Sequence, residues 1–136
     1  MENELTIRDL TEEDYDTICE WWKWWWKTTI IKDFLPGDGK GGYMVEKNQQ
    51  PIACGFLYKT NSKTAFLGCV VSNPKYKQKD RRYIIEHLIK NIEKISKKMG
   101  YNYMFTVCRN THLIEIHEKL GWLNSGKSSY EIIKKL

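Results

Sequence analysis

At 136 residues and a formal net charge of +5, the chain has room for one domain with a real core and not for two. Hydrophobic residues at 41% and charged residues at 29% give the balance of an ordinary globular protein. No apolar run approaches the roughly 18 residues of a membrane span.

The N-terminus, Met-Glu-Asn-Glu, is acidic where a signal peptide is basic and then apolar, so a cytoplasmic protein is the expectation. Leu5 to Leu10 reads as a first strand. Thr11-Glu-Glu-Asp14 then has the form of a capped helix start with acids in the first turn. Tyr15, Ile18, Cys19, Trp22, Trp25 and Trp26 recur at three- and four-residue spacing and are expected to share the core face. Consecutive helical residues lie ~100° apart, which leaves Trp21 and Trp24 projecting from that face. Pro36-Gly37 and the glycines after it mark a loop over 27–42.

Tyr43 to Lys47 and Ile52 to Lys59 read as strands joined by Asn48-Gln49-Gln50, and Asn61-Ser62 turns the chain into a third strand, Thr64 to Val71. Pro74 stops it. Asp80 begins a long helix with Ile85, Leu88, Ile92, Ile95 and Met99 on one stripe, and Gly100 ends it. Tyr101 to Cys108 reads as a strand, and Asn110 opens a short helix that Gly121 closes. Two further strands are expected at Trp122 to Asn124 and Ser129 to Lys134. Cys19, Cys54, Cys69 and Cys108 lie far apart with no Cys-x-x-Cys pair, so they are expected to be free thiols with no metal.

The string Asn110-Thr-His-Leu-Ile-Glu-Ile-His-Glu-Lys-Leu-Gly-Trp122 resembles, position by position, the Asn-x-x-Ala-x-x-Leu-Tyr-Glu-Lys-Leu-Gly-Phe signature of the GNAT acetyl-CoA-dependent N-acetyltransferases. The element order β-α-(α)-β-β-β-α-β-α-β-β is also the one that family uses. The resemblance implies an α/β (α+β) GNAT fold across residues 1–136: one mixed, twisted sheet of about six to seven strands with helices on both faces. It further implies that the strands ending at Val71 and Cys108 splay apart, with the pantetheine arm of acetyl-CoA, the cosubstrate, in the gap.

The family wraps the pyrophosphate with an Arg/Gln-x-x-Gly-x-Gly/Ala turn at a helix N-terminus. Here Lys77 stands at the first position, while Asp80 and Arg82 occupy the glycine positions. Glycine lets a backbone approach phosphate closely. Its absence shifts the expected load onto Lys77, Lys79, Arg81 and Arg82 as charge donors. The resemblance places backbone contacts to the thioester at Val70 and Val71, and a cofactor contact at Asn110, whose alternative role is a helix cap.

His117 falls on the family's usual tyrosine, which implies a general acid for the departing thiolate; its place near the helix C-terminus favours the imidazolium. Glu46 and Glu20 are candidates for the base. Trp21 and Trp24 are candidates for the acceptor wall or for a dimer contact. The resulting reading is an N-acetyltransferase acting on a primary amine of a small molecule or a protein, without membrane association; the oligomeric state stays open, a homodimer being one option because many relatives pair through C-terminal strands. Two rivals stand beside it: a degenerate GNAT-fold binding module using the tryptophan surface, and nucleic-acid binding through Lys75 to Arg82.

Overall fold

The computed structural model describes residues 4–127 and 129–136. Five strands form one sheet in the order β1-β2-β3-β4-β5: β1 Leu5–Asp9, β2 Gly42–Lys47, β3 Gln50–Tyr58, β4 Thr64–Ser72 and β5 Tyr103–Thr106. The first four pair antiparallel in a meander, and β5 is parallel to β4. Parallel neighbours need a long crossover. It is supplied by α2, Arg81–Lys98, while α1, Asp14–Trp26, joins β1 to β2 and α3, Thr111–Lys119, follows β5.

Side chains alternate across a strand, so neighbouring residues serve opposite faces. Val45, Ala53 and Leu67 pack under α2 and α3 with Ile84, Leu88, Ile92 and Ile116. Met44, Cys54, Phe56 and Val71 pack under α1 with Leu10, Ile18 and Trp21. The sheet is thus covered on both faces, as expected.

The start of α1 is fixed by charge as well as by burial. Thr11 N–H donates to Asp14 Oδ2 at 2.8 Å, and the Arg8 guanidinium grips the same carboxylate through Nη1 at 2.7 Å and Nη2 at 2.9 Å. Arg8 Nε reaches Glu46 on β2 at 3.0 Å. One cation therefore ties β1, β2 and the first turn of α1 together, which sets where the far end of α1 lies.

Three expectations are corrected. Among the described residues no strand follows α3, so the sheet has five strands and not six or seven. Trp122 is held instead by helix packing: its indole N–H donates to Glu93 Oε2 at 2.8 Å and its backbone N–H to His117 O at 3.0 Å. In the 129–134 segment, Glu131 lies 3.6 Å from Arg109 and no ladder forms. The tryptophan phase also differs from the expected one. Trp21 is 5% exposed, whereas Trp25 and Trp26 are 40% and 44% exposed, because α1 buries the Asp14, Ile18, Trp21 stripe.

Candidate active site

Ladder pairing between β4 and β5 runs only from Thr64↔Tyr103 to Leu67↔Thr106. Thr106 Oγ1 then donates to the Leu67 carbonyl at 2.6 Å, and β4 continues alone to Ser72 on that side. The strands separate there because β4 is bulged. Cys54 pairs with Val71 but Phe56 with Gly68, so Cys69 and Val70 together face Gly55. Cys69 has φ of 54°, in the left-handed region that an L residue enters at a cost. A side chain at Gly55 would meet Ile92, Leu67 and Val70 within 3.3 to 3.4 Å, which is why the narrow residue sits opposite the two-residue bulge.

Beyond the bulge the ladder resumes, since Asn73 N–H donates to Ile52 O at 2.7 Å. Antiparallel pairs alternate between bonded and non-bonded. Ser72 is therefore a non-bonded position, with its N–H and C=O turned toward the gap, while Val71 faces β3. The bulge has placed a stretch of β-edge that no strand covers at the mouth of a cleft, where the Ser72 carbonyl accepts from the Trp25 indole N–H at 2.8 Å.

That cleft has a volume of about 420 Å³. Val70, Val71 and Ser72 form its β4 wall, Lys79, Arg81 and Arg82 the start of α2, Asn110, His112 and Leu113 the start of α3, and Trp25 and Trp26 the end of α1. None of its lining residues is acidic. Arg82 pairs with Glu115 at 3.0 Å, but Arg81 makes no ion pair among the described residues. Arg81 Nη2 donates to Asn73 O at 2.9 Å, while its Nε is buried without a hydrogen-bond partner. Partial burial lowers the Arg81 pKa from its ordinary value, since desolvation penalises an unpaired cation. A carboxylate-free cleft with an uncompensated guanidinium and two α-helix N-termini fits a polyanionic ligand with an extended arm.

A sequence profile of the Acetyltransferase (GNAT) family matches residues 4–122. The chain belongs to that family. Solved structures of similar fold include the ribosomal-protein-S18-alanine N-acetyltransferase of Escherichia coli, with TM-score 0.70, 18% identity, and coverage of 87% of this chain and 77% of that one. The aminoglycoside N-acetyltransferase AAC(6')-Iy, solved with a CoA-linked bisubstrate analogue, gives TM-score 0.68 at 12% identity over 97% and 99%. N-acetylglutamate synthase from Neisseria gonorrhoeae, solved with coenzyme A and L-arginine, gives TM-score 0.69 at 16% identity. It is matched over 86% of this chain, which spans only 27% of that longer protein. The sequence matches none of the curated proteins.

In this GNAT acetyltransferase the cleft gathers Val70, Val71, Lys79, Arg81, Arg82 and Asn110 from the residues expected at a cofactor site, but not Lys77 or Asp80. The Asp80 carboxylate is bound by Lys47 Nζ and Tyr76 OH, each at 2.6 Å. These contacts hold its pKa below the usual value and make it the anchor of α2 on β2. Asn110 caps α3, its Oδ1 accepting from Leu113 N–H at 3.1 Å, and lines the cleft at that helix start. Trp21 is core, and Trp24, 57% exposed, does not line the cleft. Glu46 is engaged by Arg8, and Glu20 is exposed on α1.

The residues that sequence reasoning missed are Trp25, Trp26, Ser72 and His112. Only the helix phase, fixed by packing, could have picked out the two indoles.

The largest departure concerns His117. It is 4% exposed and lines a separate hollow, about 1110 Å³, between β5, α2 and the C-terminal segment. Its Nδ1 lies 2.8 Å from Leu113 O and its ring stands edge-on to Trp122, while Nε2 is buried without a partner. Burial outweighs the Leu113 carbonyl and the Glu93 charge, which favour the proton, and lowers its pKa. The imidazolium expected from the helix C-terminus is therefore disfavoured. Since the folded pKa lies below the unfolded one, the unfolded chain binds the proton first, and stability present above about pH 6.5 is lost as pH falls through the folded value. A ring-proton NMR titration is expected to show His117 neutral at pH 6.5. A midpoint at or above that of a free histidine would contradict this.

Proposed function

We propose that the protein transfers an acetyl group from acetyl-CoA to a primary amine by direct attack on the thioester. The observation that supports this best is the free β-edge at Val70 to Ser72 opening onto a cationic, carboxylate-free cleft. Acetyl-CoA brings the activated acetyl group. The chain's part is to hold and polarise it. The Ser72 N–H pairs with an amide of the extended arm, its carbonyl being engaged by the Trp25 indole, and Val70, released from the regular ladder by the bulge, presents its N–H to the thioester carbonyl. Lys79, Arg81 and Arg82 neutralise the phosphates in place of the glycine-turn amides that Asp80 and Arg82 displace.

Among the similar structures, the names specify an amino acid, an aminoglycoside and a ribosomal-protein alanine as acceptors. An amine acceptor is the shared chemistry. This reading gives His117 no part, because its ring lines the other hollow and burial lowers its pKa. The exposed Trp24, Ile31 and Phe34 favour one alternative, a binding module working through this apolar surface.

Amide hydrogen exchange with and without saturating acetyl-CoA separates the two. Protection at Val70, Ser72 and residues 79–82, with a raised melting temperature, is the expected result. Unchanged exchange at all of these positions would leave the binding module as the better reading.

A further inference from the structure

Arg81 occupies the variable position between the two that carry glycine in the family's phosphate turn, and its guanidinium is the cation of the cleft with neither a carboxylate nor full hydration. What holds it there is Trp25. The centre of the guanidinium lies 5.0 Å from the Trp25 ring, and the indole N–H of the same residue donates to Ser72 O at 2.8 Å. Trp25 thus spans the cleft from the last turn of α1 to the free edge of β4 and lies against the first residue of α2. On its other side Arg81 is tied to Asn73 O. Of its donors, Nη2 is occupied and Nε has no partner.

A half-buried indole bonded at its N–H to a strand carbonyl is an expensive way to cover an arginine unless the arginine must keep one orientation. A free arginine samples many rotamers, and stacking on an aromatic face removes most of that freedom.

We propose that Trp25 is a positioning residue of the cofactor site: its indole fixes the Arg81 guanidinium, whose Nε edge is buried, so that its outer edge meets a phosphate of coenzyme A, the function that closely approaching glycine amides serve elsewhere. The inference rests on the acetyl-CoA reading. It adds that the selectivity of this cleft for a phosphorylated cofactor over a bare thioester arm depends on a residue of α1, which contributes no charge.

The test is calorimetric titration of the intact protein with coenzyme A and with pantetheine, which lacks the phosphates, at several salt concentrations. Trp25→Leu, which keeps apolar bulk and loses the ring, is expected to weaken coenzyme A about tenfold, with a shallower salt dependence, and to leave pantetheine within about threefold. Trp25→Phe keeps a stacking face without the N–H and is expected to restore most of the loss. Arg81→Ala should weaken coenzyme A at least as much, and adding Trp25→Leu to it should cost little more, because the second change removes a partner already gone.

In the wild type, the Arg81 guanidinium N–H resonances should shift on adding coenzyme A and stay unmoved with pantetheine; this holds even if a variant folds poorly. Equal losses for both ligands, additive effects in the double variant, or unmoved guanidinium resonances would each overturn the role of Trp25. A wild type that binds neither ligand would instead overturn the acetyl-CoA reading on which it stands.

Discussion

Lys79→Glu together with Arg82→Glu is expected to weaken acetyl-CoA binding by at least about a hundredfold while leaving the fold intact. Each charge-assisted contact to a phosphate contributes roughly 1.5–3 kcal/mol, so losing two removes about 3–6 kcal/mol, and about 1.4 kcal/mol is a decade in affinity. Reversing the charge adds repulsion. The fold is expected to survive because Arg82 lies in the first turn of α2, where an acidic side chain suits the helix dipole better than a basic one. The Arg82 to Glu115 pair that is lost is half-exposed on both sides and contributes little. Binding by calorimetry and melting by circular dichroism separate the two effects. Affinity within threefold of the wild type would remove these cations from the cofactor site.

Asp14→Ala is expected to destabilise the protein by about 3 kcal/mol, read as a lower urea midpoint at unchanged m-value. The carboxylate side chain is 10% exposed and accepts from both Arg8 nitrogens and from Thr11 N–H. Removing it leaves a partly buried guanidinium with Glu46 and the Asp9 carbonyl. Arg8 keeps some contact with water, its side chain being 34% exposed, which places the loss at the low end for a broken buried pair.

The pH dependence follows from the Arg8 contact, which holds the Asp14 pKa below its ordinary 3.8. A depressed folded pKa means the contribution is complete above the unfolded value and disappears as pH falls through the folded one. The stability gap between wild type and Asp14→Asn should therefore be flat from pH 6 to 8 and close below about pH 4. A gap that stays constant down to pH 3 would show that the carboxylate is not held by Arg8. Because this pair also orients α1, the same variant should weaken the Trp25 contact at the opposite end of the helix.

Much of this arrangement can be read from residue order. The meander was legible because Gly, Pro, Asn and Ser punctuate strands whose apolar residues alternate, and alternation follows from the two-residue repeat of a strand. The α2 stripe of Ile85, Leu88, Ile92 and Ile95, though not its expected last member Met99, which is exposed, and the Asn110 cap are equally local, each depending on side chains within a turn or two of one another. The family resemblance carried by Asn110 to Trp122 was local in the same sense. From these the fold class and the cationic start of α2 follow without coordinates.

What needed the tertiary structure was every feature set by elements meeting at a distance. The phase of α1 was ambiguous in a run of five tryptophans among six residues, since any face of such a helix is apolar enough to bury; packing on Met44, Phe56 and Val71 chose Trp21 for the core and turned Trp25 to the cleft. Asp80 read as part of the phosphate turn until Lys47, 33 residues away in the chain, was seen to hold it. His117 read as an acid because the sequence shows its place on a helix and not its burial against Trp122, and it is burial that decides which protonation state costs less. The bulge at Cys69 and Val70, which separates β4 from β5, has no local signature in Gly-Cys-Val-Val; it exists because β3 offers one residue, Gly55, to two on β4.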